Sequence, residues 1–211
     1  MVFILSGVIS YLFGAIPFGL LIALSRGVDI RKTGSGNIGA TNVFRSVGKK
    51  WGVLAFLLDV SKGFVPAFVF PIIAAHAVAL PEDKGLPMAL VCGCAAVAGH
   101  NWPVYLRFRG GKGIATSAGV LPGIAWEAMV VGIVAWTIVF AITRYVSVAS
   151  ILASATIAVA GWLLYAHQGP LLPVVLTVLA IVGIWRHKIN IQRLLQGTES
   201  RFEFGKKKTD Q

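Results

Sequence analysis

IATSAGVLPGIAWEAMVVGIVAWTIVFAIT, Ile114–Thr143, decides how this chain is folded. The segment is thirty residues long and largely apolar, with a single charge at Glu127 and Pro122-Gly123 in its first half. A helix crosses the hydrocarbon core of a bilayer in about 20 apolar residues, so the segment is too long for one crossing and too short for two full ones. It reads either as one long helix kinked at the proline or as a short helix followed by a full one. The choice fixes the parity of the crossings, and with it the side on which the C-terminus lies.

The flanking sequence divides into spans with little slack. Val2–Leu24 is the first, and it is expected to be retained, because it lacks the basic n-region and the small-x-small cleavage site of a signal peptide. Trp51–Leu80 is the second; Asp59, Lys62, Pro66 and Pro71 interrupt it, and a kink is expected at the prolines. PEDKGLP (Pro81–Pro87) reads as a turn, and Met88–Leu106 as the third span. Beyond the ambiguous piece lie Val146–Ala166 and Gly169–Trp185. In the former, Ser150, Ser154 and Ala158 recur at i, i+4, i+8 as a small-residue packing stripe.

Composition agrees with a membrane chain. Of 211 residues, 56% are hydrophobic and 13% charged, against roughly 25% charged in soluble domains, which excludes an ordinary water-soluble domain. The net charge is +11, yet no polar basic module is present, so nucleic acid is excluded as a partner. Cys92 and Cys94 sit in an apolar run without the neighbours of a metal site and read as small buried residues.

Charge partition resolves the ambiguous segment. With seven crossings, one face receives six Lys+Arg from Ser25–Lys50, three from His100–Gly113, Arg144, and seven from Arg186 onward, 17 of the 19 in all. The positive-inside rule makes that face cytoplasmic. A single crossing by Ile114–Thr143 would put the last seven cations outside, so two passes are preferred. The sequence therefore predicts an all-α polytopic bundle of seven transmembrane helices. Its N-terminus lies outside and its C-terminus in the cytoplasm. It is one domain over residues 1–211, with 199–211 a flexible basic tail near anionic lipid.

The informative polar residues then fall on one face. RKTGSGNIGATNVFRSVGKK (Arg31–Lys50) contains Gly34, Gly36 and Gly39 in G-x-G-x-x-G spacing, but no strand precedes it and no βαβ unit can form, so it is not a dinucleotide fold. Its glycines let backbone N–H groups converge, and Ser35, Asn37, Thr41 and Asn42 add neutral donors. If Thr41–Gly48 is helical, Thr41 and Arg45 share one side at i, i+4. Taken alone, the loop is either a phosphate cradle or a flexible linker with topogenic cations.

GHNWPVYLRFRGGKG (Gly99–Gly113) sets Gly110, Gly111 and Gly113 around Lys112. It is not a Walker A loop, since Leu106 replaces the first glycine and Gly113 the Ser/Thr. It still offers a Lys where close backbone approach to an anion is possible. RHKINIQRLLQGTE (Arg186–Glu199) adds His187, Asn190 and Arg193 on the same face. Topogenic charge needs Lys and Arg but not repeated Gly, Asn and Thr, and together the three segments suggest a shared site for phosphate at head-group level.

The cytoplasmic acids, Asp29, Glu199, Glu203 and Asp210, form no D-x-D or D-x-x-D pair, so two-metal phosphoryl transfer is not supported. A G-x-S-x-G elbow and an H-x-x-x-x-D acyltransferase box are also missing. His100 and His187 are the cytoplasmic histidines, read chiefly as hydrogen-bonding or orienting groups because no acid is placed to hold either ring as in a triad. Asp59 and Lys62, at i, i+3 inside a span, read as an internal pair or as substrate contacts. His76 and His167 read as interfacial.

GSGNIGATNVFR (Gly34–Arg45), DVSKG (Asp59–Gly63), GHNWPVYLRFRGGKGIAT (Gly99–Thr116) and RHKINIQRLLQGTE (Arg186–Glu199) resemble, in order and over essentially the whole chain, the signature blocks of the bacterial membrane glycerol-3-phosphate acyltransferases that use acyl phosphate. Trp102 and Arg109 stand where Phe and Lys are expected, with aromatic and cationic character kept. The resemblance implies seven transmembrane helices with the N-terminus outside the bacterial cytoplasmic (inner) membrane. It also implies transfer of a long-chain acyl group from acyl phosphate to the 1-hydroxyl of glycerol 3-phosphate, giving lysophosphatidic acid and phosphate.

Carried over by motif, Ser35, Asn37, Arg45, Lys112, His187 and Asn190 are the expected catalytic residues. Gly34, Gly36, Gly39, Thr41, Asn42, His100, Gly110, Gly111 and Gly113 are the expected substrate-binding positions. No cofactor or metal is implied, a monomer is assumed, and catalysis is expected to be substrate-assisted, the donor's phosphate taking the hydroxyl proton. The competing class, a transporter or channel for a phosphorylated solute, would place polar groups near the midplane and on both faces.

Overall fold

The computed structural model describes residues 1–202, which are helical and contain no strand. Most of the expected basic tail, residues 203–211 with Glu203 and Asp210, lies outside the described residues. The first residues of that tail are held in place: the Phe202 N–H donates to the Arg144 carbonyl at 2.8 Å, and the Arg201 guanidinium lies 5.2 Å from the Tyr145 ring centroid.

The chain forms two compact units, Met1–Met129 and Val130–Gln211. In the first, α1 (Val2–Gly14) and α2 (Phe18–Ser25) make the broken first span. The break falls where Pro17 has no N–H to offer and disfavours helix at the residue before it. After the first loop come α3 (Ala40–Ser46), α4 (Lys49–Phe64) and α5 (Phe70–Val78). A π turn, Val65–Val69, joins α4 to α5 at Pro66, so the expected proline kink is a local widening of the helix rather than a break. α6 (Gly85–Asn101) and α7 (Ile114–Ile124) complete the unit.

α1 lies against α6 and α4 against α7, each through small residues that let backbones approach. At the α4–α7 crossing a Cβ on Gly63 would overlap the Thr116 carbonyl, and one on Gly119 would overlap that of Val60. The two helices therefore meet backbone to backbone, from both sides. Below the first loop, Leu20, Ala23, Ile30, Ile38, Val43 and Ala55 form one apolar cluster, against which Leu106 of the second loop also packs.

The ambiguous segment is two helices, α7 and α8 (Trp126–Thr143), parted at Ala125. α9 (Val146–Tyr165), α10 (Leu171–Arg186) and α11 (Lys188–Leu195) follow. Among the described residues, four stretches are long and apolar enough to cross a membrane: Val2–Ser25, Lys49–Ala77, Trp126–Thr143 and Val146–Gln168. A fifth arises if α10 and α11, bent by 52°, count as one. α6, with 17 residues, is at the lower limit for a span, and α7, at about 1.5 Å per residue, reaches only about half the ~30 Å core. Cys92 is buried and Cys94 half-buried, and both are free thiols; His76 and His167 are exposed.

Candidate active site

The first loop is organised around one side chain. Asn42, buried on α3, donates its two Nδ2 hydrogens to the carbonyls of Ile30, Thr33 and Asn37 at 2.9, 3.1 and 2.8 Å. Its Oδ1 accepts the Ser35 N–H at 3.1 Å and the Ser46 hydroxyl at 3.4 Å. Residues 30–37 are thereby wrapped about a single amide. The wrap needs left-handed backbone at Gly34 (φ 57°) and Gly36 (φ 71°), and a Cβ at Gly34 would overlap Asn42 Oδ1.

Asn37 closes the turn, its Oδ1 accepting the Gly39 N–H at 2.8 Å, and the Asn37 N–H reaches Ser35 Oγ at 3.4 Å. Ser35 and Asn37 are half-buried on the loop, Thr41 is half-buried in the first turn of α3, and Arg45 is exposed one turn beyond it. The helix runs Ala40–Ser46, somewhat shorter than the expected Thr41–Gly48, but it keeps Thr41 and Arg45 at i, i+4. Arg31, the other prominent cation, is engaged elsewhere: its Nε and Nη2 donate to the two Asp29 carboxylate oxygens at 2.9 and 2.8 Å. This hydrogen bonding holds the Asp29 carboxyl at about 2. A depressed carboxyl favours the folded loop above its ordinary value of 3.8 and loses that contribution as pH falls through about 2, so the clasp is constant at physiological pH.

The second loop doubles back over the end of α6. The Gly111 N–H donates to the His100 carbonyl at 3.0 Å, and Arg107 and Phe108 take left-handed φ values of 50° and 62° to make the return. A Cβ at Gly111 would run into the His100 ring at Nε2, and one at Gly110 into the His100 carbonyl. The glycines flanking Lys112 are therefore a packing requirement as well as a flexible one. Lys112 is half-buried, at the head of α7. The Tyr11 hydroxyl donates to the Trp102 carbonyl at 2.7 Å and ties this loop to α1.

His100 lies beneath the glycine turn, 5% exposed, with Nδ1 3.8 Å from Asp59 Oδ1. Asp59 and Lys62 do form the internal pair, at 2.9 Å. Sequence reasoning assigned nothing to Asn101 and Thr116. Both are fully buried, and the Asn101 amide and Thr116 hydroxyl have no hydrogen-bond partner among the described residues. Their place inside the GHN and GIAT runs was the available signal, but an Asn or Thr in a motif does not show which way it faces.

In the second unit, His187 sits at the α10–α11 bend, buried, with Nδ1 2.8 Å from the Gly183 carbonyl. A carbonyl can only accept, so Nδ1 carries the proton and Nε2 is the basic nitrogen of the neutral ring. Asn190, one turn later, donates Nδ2 to Glu199 Oε1 at 2.8 Å, and the same oxygen accepts the Ser147 hydroxyl at 2.7 Å. Glu199 and Ser147 thus fix the Asn190 side chain, a pairing that the separation of 52 residues hid in the sequence. No three His, Cys, Asp or Glu side chains gather as a metal-ligand set among the described residues.

The chemistry available is that of anion binding: a glycine-loop backbone held in tight turns, neutral amide and hydroxyl donors, Arg45 and Lys112. The family model described as glycerol-3-phosphate acyltransferase matches residues 4–197. The glycerol-3-phosphate acyltransferase of Desulforudis audaxviator (strain MP104C) is 44% identical over 208 residues, covering 94% of each chain. A crystal structure of PlsY (YgiH), an integral membrane glycerol 3-phosphate acyltransferase in its glycerol 3-phosphate form, superposes with TM-score 0.82 at 40% identity, covering 95% of this chain and 96% of that one. The lysophosphatidic acid form of PlsY gives TM-score 0.78 at 39% identity, covering 95% of each chain.

Proposed function

Because the chain belongs to the glycerol-3-phosphate acyltransferase family, we propose that it acylates glycerol 3-phosphate to lysophosphatidic acid, with a long-chain acyl phosphate as donor. The observation that carries the reading is the pair of glycine loops of the first unit, one wrapped on Asn42 and the other folded over His100, bearing Arg45 and Lys112. Leu106 of the second loop packs on the apolar cluster beneath the first, which brings the two loops together. Both substrates carry a phosphate, and both loops present what a phosphate binds.

The glycerol 1-hydroxyl attacks the acyl carbonyl carbon, the carbonyl–oxygen bond to phosphate breaks, and the hydroxyl proton passes to a departing phosphate oxygen. The donor is a mixed anhydride, already activated, so the protein's task is positioning and neutralisation of phosphate charge. Arg45 and Lys112 supply the positive charge; Ser35, Asn37 and Thr41 supply neutral donors; Gly34, Gly36, Gly39, Gly110, Gly111 and Gly113 give the backbone its approach. Asn42 and His100 serve by holding these loops. His187 and Asn190 act as oriented polar groups of the second unit, and neither metal nor cofactor takes part.

The reading sets the protein in the bacterial cytoplasmic membrane as a monomer with seven crossings, α6 and α7 being the short ones. The cation-rich loops face the cytoplasm and the N-terminus faces out. Purified protein given labelled glycerol 3-phosphate with acyl phosphate is expected to form lysophosphatidic acid. Product from acyl-CoA alone, or from neither donor, would overturn it. With the donor as proton acceptor, the pH–rate profile of His187→Ala keeps the shape of the wild-type profile at reduced height. Loss of a limb near pH 6–7 in that variant would instead make His187 the base.

A further inference from the structure

We infer that Asp59, Lys62 and His100 form a buried positioning strut that sets the Lys112 turn against the helices beneath it. The inference rests on the proposed role of Lys112 in binding substrate phosphate. Asp59 and Lys62 lie on the interior side of α4, at 2% and 1% exposure. Burying two charges costs several kcal/mol each before their attraction offsets it, and a well-packed apolar pair would hold α4 at least as firmly. Stability alone therefore gives no reason for them.

Their contacts supply one. Lys62 Nζ donates to the Ile16 carbonyl at 2.9 Å, at the break between α1 and α2, and its ammonium is 5.8 Å from the Phe18 ring centroid. Asp59 Oδ1 takes the same ammonium at 2.9 Å and lies 3.8 Å from His100 Nδ1 at the end of α6. The opposite nitrogen of that ring, Nε2, is the atom a Cβ on Gly111 would strike, and the His100 carbonyl accepts the Gly111 N–H. These contacts run from the first span through α4 and the end of α6 to the residue before Lys112; the Asp59–His100 step is a 3.8 Å approach, longer than a hydrogen bond. The turn is fixed at its other end where α7 meets α4 at Gly63 and Thr116. α4 consequently supports both ends of a short segment carrying a single cation. A phosphate contact depends on placing that cation within a fraction of an ångström.

The variant that tests this is D59L/K62M, which removes the pair without leaving a lone buried charge; H100N, which leaves the pair and removes the ring under Gly111, is the second. Both are compared with wild type by amide hydrogen exchange over residues 106–116 and by KM and kcat for glycerol 3-phosphate at saturating acyl phosphate. The strut predicts, in at least one variant that stays folded and monodisperse, exchange over 106–116 about tenfold faster, with exchange over 146–165 unchanged. KM rises about tenfold, kcat stays within about threefold, and adding either change to Lys112→Ala causes no further loss. Unchanged exchange over 106–116 in the folded variants would overturn the strut, as would faster exchange with a wild-type KM, or a loss that simply multiplies with that of Lys112→Ala. An inactive wild-type protein would instead overturn the acyltransferase reading, and the exchange result would still decide the strut.

Discussion

Lys112→Ala is expected to lower kcat/KM for glycerol 3-phosphate acylation by on the order of 10² or more, the usual cost of deleting one charge that meets a developing anion. Lys112 is half-buried with glycine on both sides in the chain, so its sequence neighbours cannot replace its ammonium. Lys112→Arg recovers little, because the planar, forked guanidinium does not reproduce the compact ammonium as a point charge. Arg45→Ala behaves like Lys112→Ala, while Arg31→Ala, whose guanidinium is occupied by Asp29, stays within about threefold of wild type on the same scale. Steady-state rates on the four variants check the ordering. Near-wild-type turnover by Lys112→Ala would remove the phosphate assignment from the second loop.

Asn42→Ala has the second large effect, by a different route. One amide satisfies three carbonyls and one backbone N–H, and a buried group left unmatched costs about 1–3 kcal/mol. Even if water re-enters at some of them, a loop of this length does not hold two left-handed glycines in register against that loss. The expected result is trypsin cleavage after Arg31 or Lys32 under conditions where the wild-type protein resists, with a loss of activity on the order of tenfold or greater. Asn42→Asp separates shape from donation. It keeps the Oδ1 acceptor but sets a carboxylate against the Ile30, Thr33 and Asn37 carbonyls, and is expected to fare no better. Wild-type protease resistance in both variants would show that the loop is held by something other than this amide.

Much of this architecture was legible in the sequence because lipid imposes simple rules. Apolar run lengths located the helices, and Pro122-Gly123 marked a segment that splits into α7 and α8. The i, i+3 spacing of Asp59 and Lys62 allowed for the internal pair that forms. What stayed hidden was direction. A glycine-rich block says that backbone comes close to something, and at Gly111 that something is the His100 ring. Asn42 and His100 carried the same motif signal as Ser35 and Lys112, yet they turn inward and support the loops. The grip of Glu199 on Asn190 and Ser147 needs the chain end to fold back on α9 and α11, a tertiary contact without periodicity. The division into two compact units is likewise a property of packing density, to which a continuous apolar sequence gives no clue.

The double glycine contact between α4 and α7 bears on how this protein tolerates change over generations. Lipid-facing positions such as Val53, Leu57 and Ile73, all well exposed, can drift among apolar residues with little consequence. Gly63 and Gly119 cannot, because any side chain at either separates two backbones and lifts one root of the Lys112 turn. Nor can one substitution compensate the other, since each glycine meets a carbonyl rather than a side chain that could shrink. Substitution at this crossing therefore meets a dead end.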